Sequence, residues 1–161
     1  MTTKEQYQKQ LEMNAPWIWT FKEHMHPIQR REKETGYEGK WLMFIPLGDI
    51  VETWNVVCEA MHNKLLGDAA KIRTLKEFAE ELDARKGHRV VCIYTYNSKD
   101  TEDILRVLAA LRSVGMQYEA WYKEDAATKR GAYSSPGHGV TLYHARYGKV
   151  ELLESRKGRK T

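Results

Sequence analysis

The segment from Lys40 to Pro46 constrains the fold more than any other part of this sequence. It reads KWLMFIP, so apolar residues stand at both alternating positions of an extended chain. A strand with one buried face alternates apolar and polar residues, whereas a strand covered on both faces is apolar throughout. The segment therefore predicts a central strand of a sheet, and Arg89–Tyr96, which reads RVVCIYTY, predicts a second one.

Helical and extended patterns alternate around these two strands. Apolar residues recur at helical spacing over 50–65 and over 100–114, and Asp49 offers an N-cap to the first of these helices. A capping box that starts at Thr74 predicts a further helix ending at Gly87. Long loops are predicted over 24–39 and 131–139. The remaining strands are predicted over Pro16–Phe21, Asp68–Arg73, Met116–Tyr122 and a closing hairpin of Val140–Arg146 with Lys149–Leu153.

Because strands outnumber helices, the sequence predicts an α+β fold. The expected architecture is a curved, mainly antiparallel sheet with helices packed on one face and the other face open. The 161 residues suit a single domain, which we place at 1–153, followed by a basic mobile tail at 154–161.

Composition limits the class of partner. The net charge of +4 and the sequence pI of about 9.0 fit an anionic partner such as a nucleotide or RNA. The polar N-terminus does not resemble a signal peptide, and no apolar stretch approaches the roughly 20 residues that cross a bilayer, so we expect a cytoplasmic protein without a membrane partner. Cys58 and Cys92 lie in apolar runs, which indicates buried thiols in a reducing compartment. No metal site or cofactor is predicted.

Several short motifs follow an order found in a known family. They are GKWLMF at 39–44, ETWNVVCEAM at 52–61, AKIR at 70–73, VVCIYT at 90–95 and DAATKRGAY at 125–133. In this order the chain resembles the cap-binding translation initiation factor 4E family, and the motif at 125–133 is the most specific match. The chain resembles even more closely a branch with the same fold, the basophilic-leukaemia-expressed protein family.

The resemblance implies a ligand site. In the parent family a methylated guanine is stacked between two tryptophans, and Arg and Lys side chains hold the phosphates. By motif, Arg73 matches the phosphate-binding arginine, Lys40 matches the basic residue before the strand tryptophan, and Lys129 with Arg130 falls in the loop near the phosphates. Lys71 shares a strand face with Arg73 and joins this predicted site, although a solvated strand edge is the alternative.

The two stacking tryptophans of the family are missing from the matching positions. The loop before the central strand reads PIQRRE at 27–32, and the segment that holds the other tryptophan is too long to fit between Phe21 and Pro27. Ordinary cap binding is therefore not expected. The remaining candidates for stacking on a base are Trp17, Trp19, Arg30 and Tyr94, the last in place of a strand tryptophan. Trp17 and Trp19 share one strand face and are also open to a packing role.

Three functions stay open at this level. The first is a binding module for a phosphate-bearing ligand, either a nucleotide, a cap-like molecule or RNA. The second is an enzyme acting on a phosphate ester, of phosphothreonine-lyase or phosphodiesterase type, with Arg73 as phosphate clamp and His138 or His144 as acid or base. The third is a protein-interaction scaffold that uses the helices. The pair His24 and His26 lacks a third ligand for a metal.

Overall fold

A computed structural model describes residues 3–12, 17–21, 39–74, 87–124, 141–146 and 153–154 of the chain. Within these residues the chain forms three α-helices, one short 3-10 helix at Leu47–Asp49 and seven β-strands. In chain order the helices and strands are α1 Thr3–Leu11, β1 Trp17–Phe21, β2 Gly39–Pro46, α2 Ile50–His62, β3 Ala69–Arg73, β4 His88–Thr95, α3 Thr101–Ser113, β5 Ala120–Glu124, β6 Thr141–Ala145 and β7 Leu153–Glu154.

The seven strands form one sheet in the order β1-β3-β4-β2-β5-β6-β7, and every pairing is antiparallel. β2 pairs with β4 along its whole length, from Gly39 opposite Thr95 to Pro46 opposite His88, and with β5 on its other side. The segment that is apolar on both faces is thus the middle strand of the sheet, as its sequence predicts.

The helices cover one face of the sheet and bury the main core there. Large aromatic side chains of the sheet and of α2 meet in this core, among them Trp41, Trp54 and Tyr122, which are all fully buried. Trp41 also donates a hydrogen bond from Nε1 to the carbonyl of Ile104 in α3, at 3.0 Å. Burial of each large apolar side chain contributes about 1.5–3 kcal/mol, so this face supplies most of the hydrophobic stabilisation.

Helix α1 is an element that the sequence reasoning missed, because that reasoning placed the first element at Pro16. The helix is almost entirely polar, and an isolated helix of this length is unstable in water. Its last residue, Leu11, is completely buried in the main core. Packing against the rest of the fold therefore holds a segment whose own sequence gives little helical signal.

The fifth strand begins at Ala120 rather than at Met116, where the sequence reasoning placed it. The cause is Arg112 at the end of α3. Its guanidinium donates to the carbonyls of Met116 at 2.8 Å and Tyr118 at 2.6 Å, and to the carbonyl of Arg146 at 3.1 Å. Because these carbonyls are taken by a side chain, this segment is bonded to the helix end instead of to a neighbouring strand.

The two long helices begin differently. Asp100 caps α3, since its side chain accepts a hydrogen bond from the backbone N–H of Asp103 at 3.1 Å. Asp49 precedes α2 but makes no capping hydrogen bond with its side chain, which corrects the sequence-based interpretation. Its carboxylate instead accepts a hydrogen bond from the hydroxyl of Tyr118 at 3.1 Å.

Some sequence-based predictions lie outside the described residues. They are the helix after Thr74, most of the loop at 24–39, the loop at 131–139 and the tail beyond 154.

Candidate functional site

Among the described residues, four cationic side chains lie on the face of the sheet opposite the helices, which we call the basic face. The cations are Lys40, Lys71, Arg73 and Lys123, and each is next in sequence to a residue of the main core, so each side chain points away from that core. Three of them are deeply buried, with exposed fractions of 2% for Lys40, 9% for Arg73 and 5% for Lys123. Water screens charges at this depth only weakly, so these cations interact strongly with the groups that surround them.

Two of these cations lie against the tryptophans of β1. The strand register places Trp17 opposite Arg73 and Trp19 opposite Lys71. The Nζ of Lys71 lies 4.0 Å from the ring centroid of Trp17 and 5.0 Å from that of Trp19, and the guanidinium carbon of Arg73 lies 4.8 Å from the Trp17 centroid. At these distances both cations interact with the electron-rich ring faces.

The aromatic rings of this region form a continuous stack. Trp19 is stacked on Phe21 with centroids 5.6 Å apart and on Tyr94 with centroids 5.7 Å apart. The ammonium group of Lys71 lies over the rings of both Trp17 and Trp19, so a base cannot stack on the ring faces that this group occupies. Trp17 and Trp19 are therefore packed among neighbouring side chains and are not arranged as a facing pair of rings with space for a base between them.

The ring of Tyr94 lies near both Lys40 and Lys71. Its ring is buried, and it lies 5.5 Å from the Nζ of Lys40 on one side and 6.0 Å from the Nζ of Lys71. The structure thus brings together Lys40, Lys71 and Arg73, the three cations of the predicted site that fall within the described residues. Of the other predicted site residues, Trp17, Trp19 and Tyr94 lie on the same face, whereas Arg30, Lys129 and Arg130 lie outside the described residues.

Lys123 is a cation of the basic face that the sequence reasoning missed. It lies directly opposite Lys40 in the pairing of β2 with β5. The sequence-based strand ended at Tyr122, one residue short of it. The alternation of Trp121 and Lys123 around the core residue Tyr122 is the signal that could have revealed it.

Farther along the same face, β5 and β6 carry an aromatic and histidine cluster. His144 is stacked on Trp121 with centroids 5.2 Å apart and planes inclined by 7°, and Phe44 meets Trp121 edge-on. The Nε2 of His144 is hydrogen-bonded to the carboxylate of Glu119 at 2.7 Å. His144 is thus paired with a carboxylate and not with one of the four cations. The other candidate histidine, His138, lies outside the described residues.

Gly39 and Tyr122 show why the motif before Lys40 begins with glycine. A Cβ atom on Gly39 would collide with the ring and hydroxyl of Tyr122 on the neighbouring strand. The hydroxyl is bonded to the Thr95 hydroxyl at 2.5 Å, and burial raises the pKa of the Tyr122 phenol well above its usual range. The tyrosine is therefore a neutral structural group that holds β4 and β5 at the level of Lys40.

A separate open cavity of about 720 Å³ lies beside β1, on the side of α1 and α2. Trp54 is one of its lining residues, and the indole Nε1 of Trp54 is buried without a hydrogen-bond partner among the described residues. The described residues contain no group of His, Cys, Asp or Glu side chains able to hold a metal ion. They also contain no helix that is long and apolar enough to cross a bilayer.

Comparison with protein families now identifies the relatives of the chain. The sequence model of the basophilic leukemia-expressed protein Bles03 matches residues 23–131, which is more than half of the chain. The chain belongs to the Bles03 family. The matched range includes β2, β3, β4 and β5, and with them the four cations of the basic face. The sequence-based assignment to this branch is confirmed.

Solved structures with a similar fold are cap-binding initiation factors. This Bles03 family member matches C. elegans eIF4E-3, in a complex with the 4E-binding protein Mextli and a cap analog, with a TM-score of 0.55 and 13% identity over 74% of this chain and 69% of that one. It matches a schistosome eIF4E complexed with m7GpppA and 4E-BP with a TM-score of 0.56 and 11% identity, over 84% and 77% of the two chains. The predicted α+β fold, an antiparallel sheet with helices on one face, is confirmed.

Proposed function

We propose that this chain binds a phosphate-bearing ligand, a nucleotide either free or at the end of an RNA, on the basic face of the sheet. The observation that carries the proposal is the packing of Lys71 and Arg73 against Trp17, with Nζ and the guanidinium carbon 4.0 Å and 4.8 Å from the ring centroid. Cations hold phosphates through charge-assisted hydrogen bonds, and aromatic faces hold bases by stacking. The two chemistries that a nucleotide requires therefore stand side by side.

The similarity to cap-bound initiation factors supports this class of ligand, since two structures of the same fold hold a cap analog and m7GpppA. The mode of binding that we propose differs in one respect. Trp17 and Trp19 are engaged with cations and with a stack of rings, so the ligand is held without a sandwich of two indoles. Phosphate contacts then contribute more of the affinity than stacking of the base on an aromatic ring does.

Binding without turnover is the version that the geometry favours. A phosphate-ester enzyme needs an acid or base within hydrogen-bond reach of the reacting group. The candidate acid or base among the described residues is His144. Its hydrogen bond goes to Glu119 and its ring is stacked on Trp121, so it is not joined to Lys71 or Arg73, the proposed phosphate ligands.

The test is isothermal titration calorimetry with GTP and with 7-methyl-GTP, at low and at physiological salt. Arg73→Ala removes a guanidinium, and a hydrogen bond to a charged group is worth about 1.5–3 kcal/mol, so the affinity should fall by roughly tenfold to a hundredfold. Arg73→Lys keeps the charge and should recover part of the loss. The matched control is Arg106→Ala, because Arg106 is an exposed cation of α3 on the helix side, bonded to Asp103 and the carbonyl of Leu65.

Two results would contradict the proposal. One is the absence of binding of either nucleotide by the folded wild-type protein. The other is an equal effect of Arg73→Ala and Arg106→Ala, which would show that only net charge matters. Thermal melting of each variant separates lost binding from lost folding.

A further inference from the structure

Strand β1 forms one edge of the sheet. Among the described residues it pairs with β3 alone, and an edge strand turns about half of its backbone N–H and C=O groups away from the sheet. The strand at the other edge, β7, has only two residues, which limits pairing there. β1 has five residues, pairs with β3 without a register shift and contains neither a charged residue nor a proline. The strand itself therefore has none of the features that usually prevent an edge from accepting another strand.

The open cavity of about 720 Å³ lies along this edge. Trp19, Thr20 and Phe21, three successive residues of β1, all line it. Successive side chains of a strand point to opposite faces of the sheet, so a cavity bordered by all three residues runs past the edge of the strand rather than over one face. The outer edge of β1 at this end therefore borders the cavity.

Helix α2 forms another wall of the cavity. Its lining residues Trp54, Cys58 and His62 recur every four residues, so they follow one face of the helix. At the rise of an α-helix this face extends for about 12 Å, which is the length of roughly four residues in an extended chain. The helix thus offers cover to one side of a strand that is added next to β1.

The charge of the cavity limits the kind of strand that fits. Among the described residues that line it, Glu59 of α2 carries the one carboxylate and none is lysine or arginine, although the chain has a net charge of +4. On the other face of β1, the rings of Trp19 and Phe21 are stacked, and Lys71 lies over Trp19. An added strand places alternate residues on these two sides, so basic residues beside Glu59 should alternate with apolar residues beside the rings.

A peptide segment of another protein fits this edge better than a second copy of the chain does. β1 is about 17 Å long, and two edges of this length bury much less surface than the roughly 1,200 Å² of a stable dimer. A second copy would also bring the uncharged sequence WIWTF, which has no basic residue to face Glu59. A short peptide needs only the strand edge and the cavity, as in other cases of strand addition.

We propose that the outer edge of β1 and the cavity beside it bind an extended peptide segment of a partner protein, in which basic residues alternate with apolar ones. The peptide pairs with β1 as an additional strand. Its basic side chains face Glu59, and its apolar side chains continue the row of aromatic rings formed by Trp17, Trp19 and Phe21. This site is independent of the nucleotide site proposed above, because it uses the edge of the sheet rather than the cations of the basic face.

Fluorescence polarisation with three labelled eight-residue peptides at physiological salt tests the proposal. One peptide alternates valine and lysine, one has the same composition with four lysines followed by four valines, and one alternates valine and glutamate. The first should bind about tenfold more tightly than the other two, because it alone matches both the strand periodicity and the carboxylate. In hydrogen exchange, the same peptide should slow alternate backbone amides within 17–21.

Two substitutions in α2 should weaken binding of the valine–lysine peptide. Glu59→Lys reverses the charge of the cavity and should lower the affinity about tenfold, and Cys58→Phe narrows the cavity and should lower it by a similar factor. The matched control is Glu102→Lys, which should change the affinity less than twofold, because Glu102 is an exposed acid of α3 that does not line the cavity. The melting temperature of each variant shows whether it is folded.

Each of four results would overturn the proposal. If the two lysine peptides bind the folded wild type equally, or neither binds, no strand is added to β1. If Glu59→Lys and Glu102→Lys weaken binding by the same factor, only net charge matters. If the wild type sediments as a dimer that Cys58→Phe dissociates, the occupant is a second copy. If all amides within 17–21 exchange slowly without peptide, residues of the same chain already cover the edge.

Discussion

The two faces of the sheet are built from alternate residues of the same strands, yet they obey different physical rules. On the helix side, Trp41, Trp54 and Tyr122 are buried in an apolar core, and the Nε1 of Trp41 bonds a backbone carbonyl. On the basic face, Lys40 and Arg73 are almost equally buried but carry charge and lie beside aromatic rings. A fold stabilised mainly by one face can tolerate costly groups on the other. We interpret the helix side as the source of stability and the basic face as the source of function.

The largest effect should come from truncating a core residue on the helix side. Trp41→Ala removes a fully buried indole and its hydrogen bond to Ile104, and should lower the free energy of unfolding by about 3–5 kcal/mol. Urea denaturation measures the loss. Trp121→Ala is the matched change on the basic face, where the indole is only partly buried, and should cost less than half as much. Equal losses of unfolding free energy would contradict the interpretation that the helix side is the source of stability.

Replacing a cation of the basic face should have the opposite effect, with little loss of stability and a clear loss of affinity for the ligand. Lys71→Met exchanges the contacts of an ammonium with Trp17 and Trp19 for contacts of a thioether, and should change the free energy of unfolding by less than about 1 kcal/mol. The same variant should bind GTP about tenfold more weakly, because a phosphate contact is lost. Chemical denaturation and calorimetry on one preparation test both parts. A variant that is strongly destabilised but binds normally would reverse the comparison.

The smallest effect concerns the start of α3, which belongs to the helix side. The hydrogen bond from the Tyr96 hydroxyl, followed by that from the Asp103 backbone, lowers the pKa of the Asp100 carboxyl below its ordinary value of 3.8. A lowered pKa in the folded state means that this carboxylate stabilises the fold above its unfolded pKa. The contribution is lost as the pH falls through the folded pKa.

Asp100→Ala should therefore melt a few degrees below the wild type at pH 7, and the gap should narrow as the pH is lowered to 3. Asp100→Asn retains a capping side chain and should show a smaller gap. A gap that stays constant between the two pH values would show that the carboxylate charge has no part in capping.

The sequence by itself determined the central strand, the two amphipathic helices and the cationic character of β3, because these depend on periodicity along one segment. Apolar residues on both sides of Lys40–Pro46 require cover on both faces, and the alternation of Lys71 and Arg73 around Ile72 puts both cations on one face.

Only the tertiary structure decided which cations meet. Lys123 joins Lys40 through the pairing of β2 with β5, and Thr141 reaches Lys123 through a register shift, neither of which leaves a periodic signal in the sequence. In the same way α1 is held by the burial of Leu11, and β5 starts late because Arg112 takes the carbonyls before it. Contacts between distant segments depend on strand order, and the periodicity of one segment shows which face a residue lies on but not which strand it pairs with.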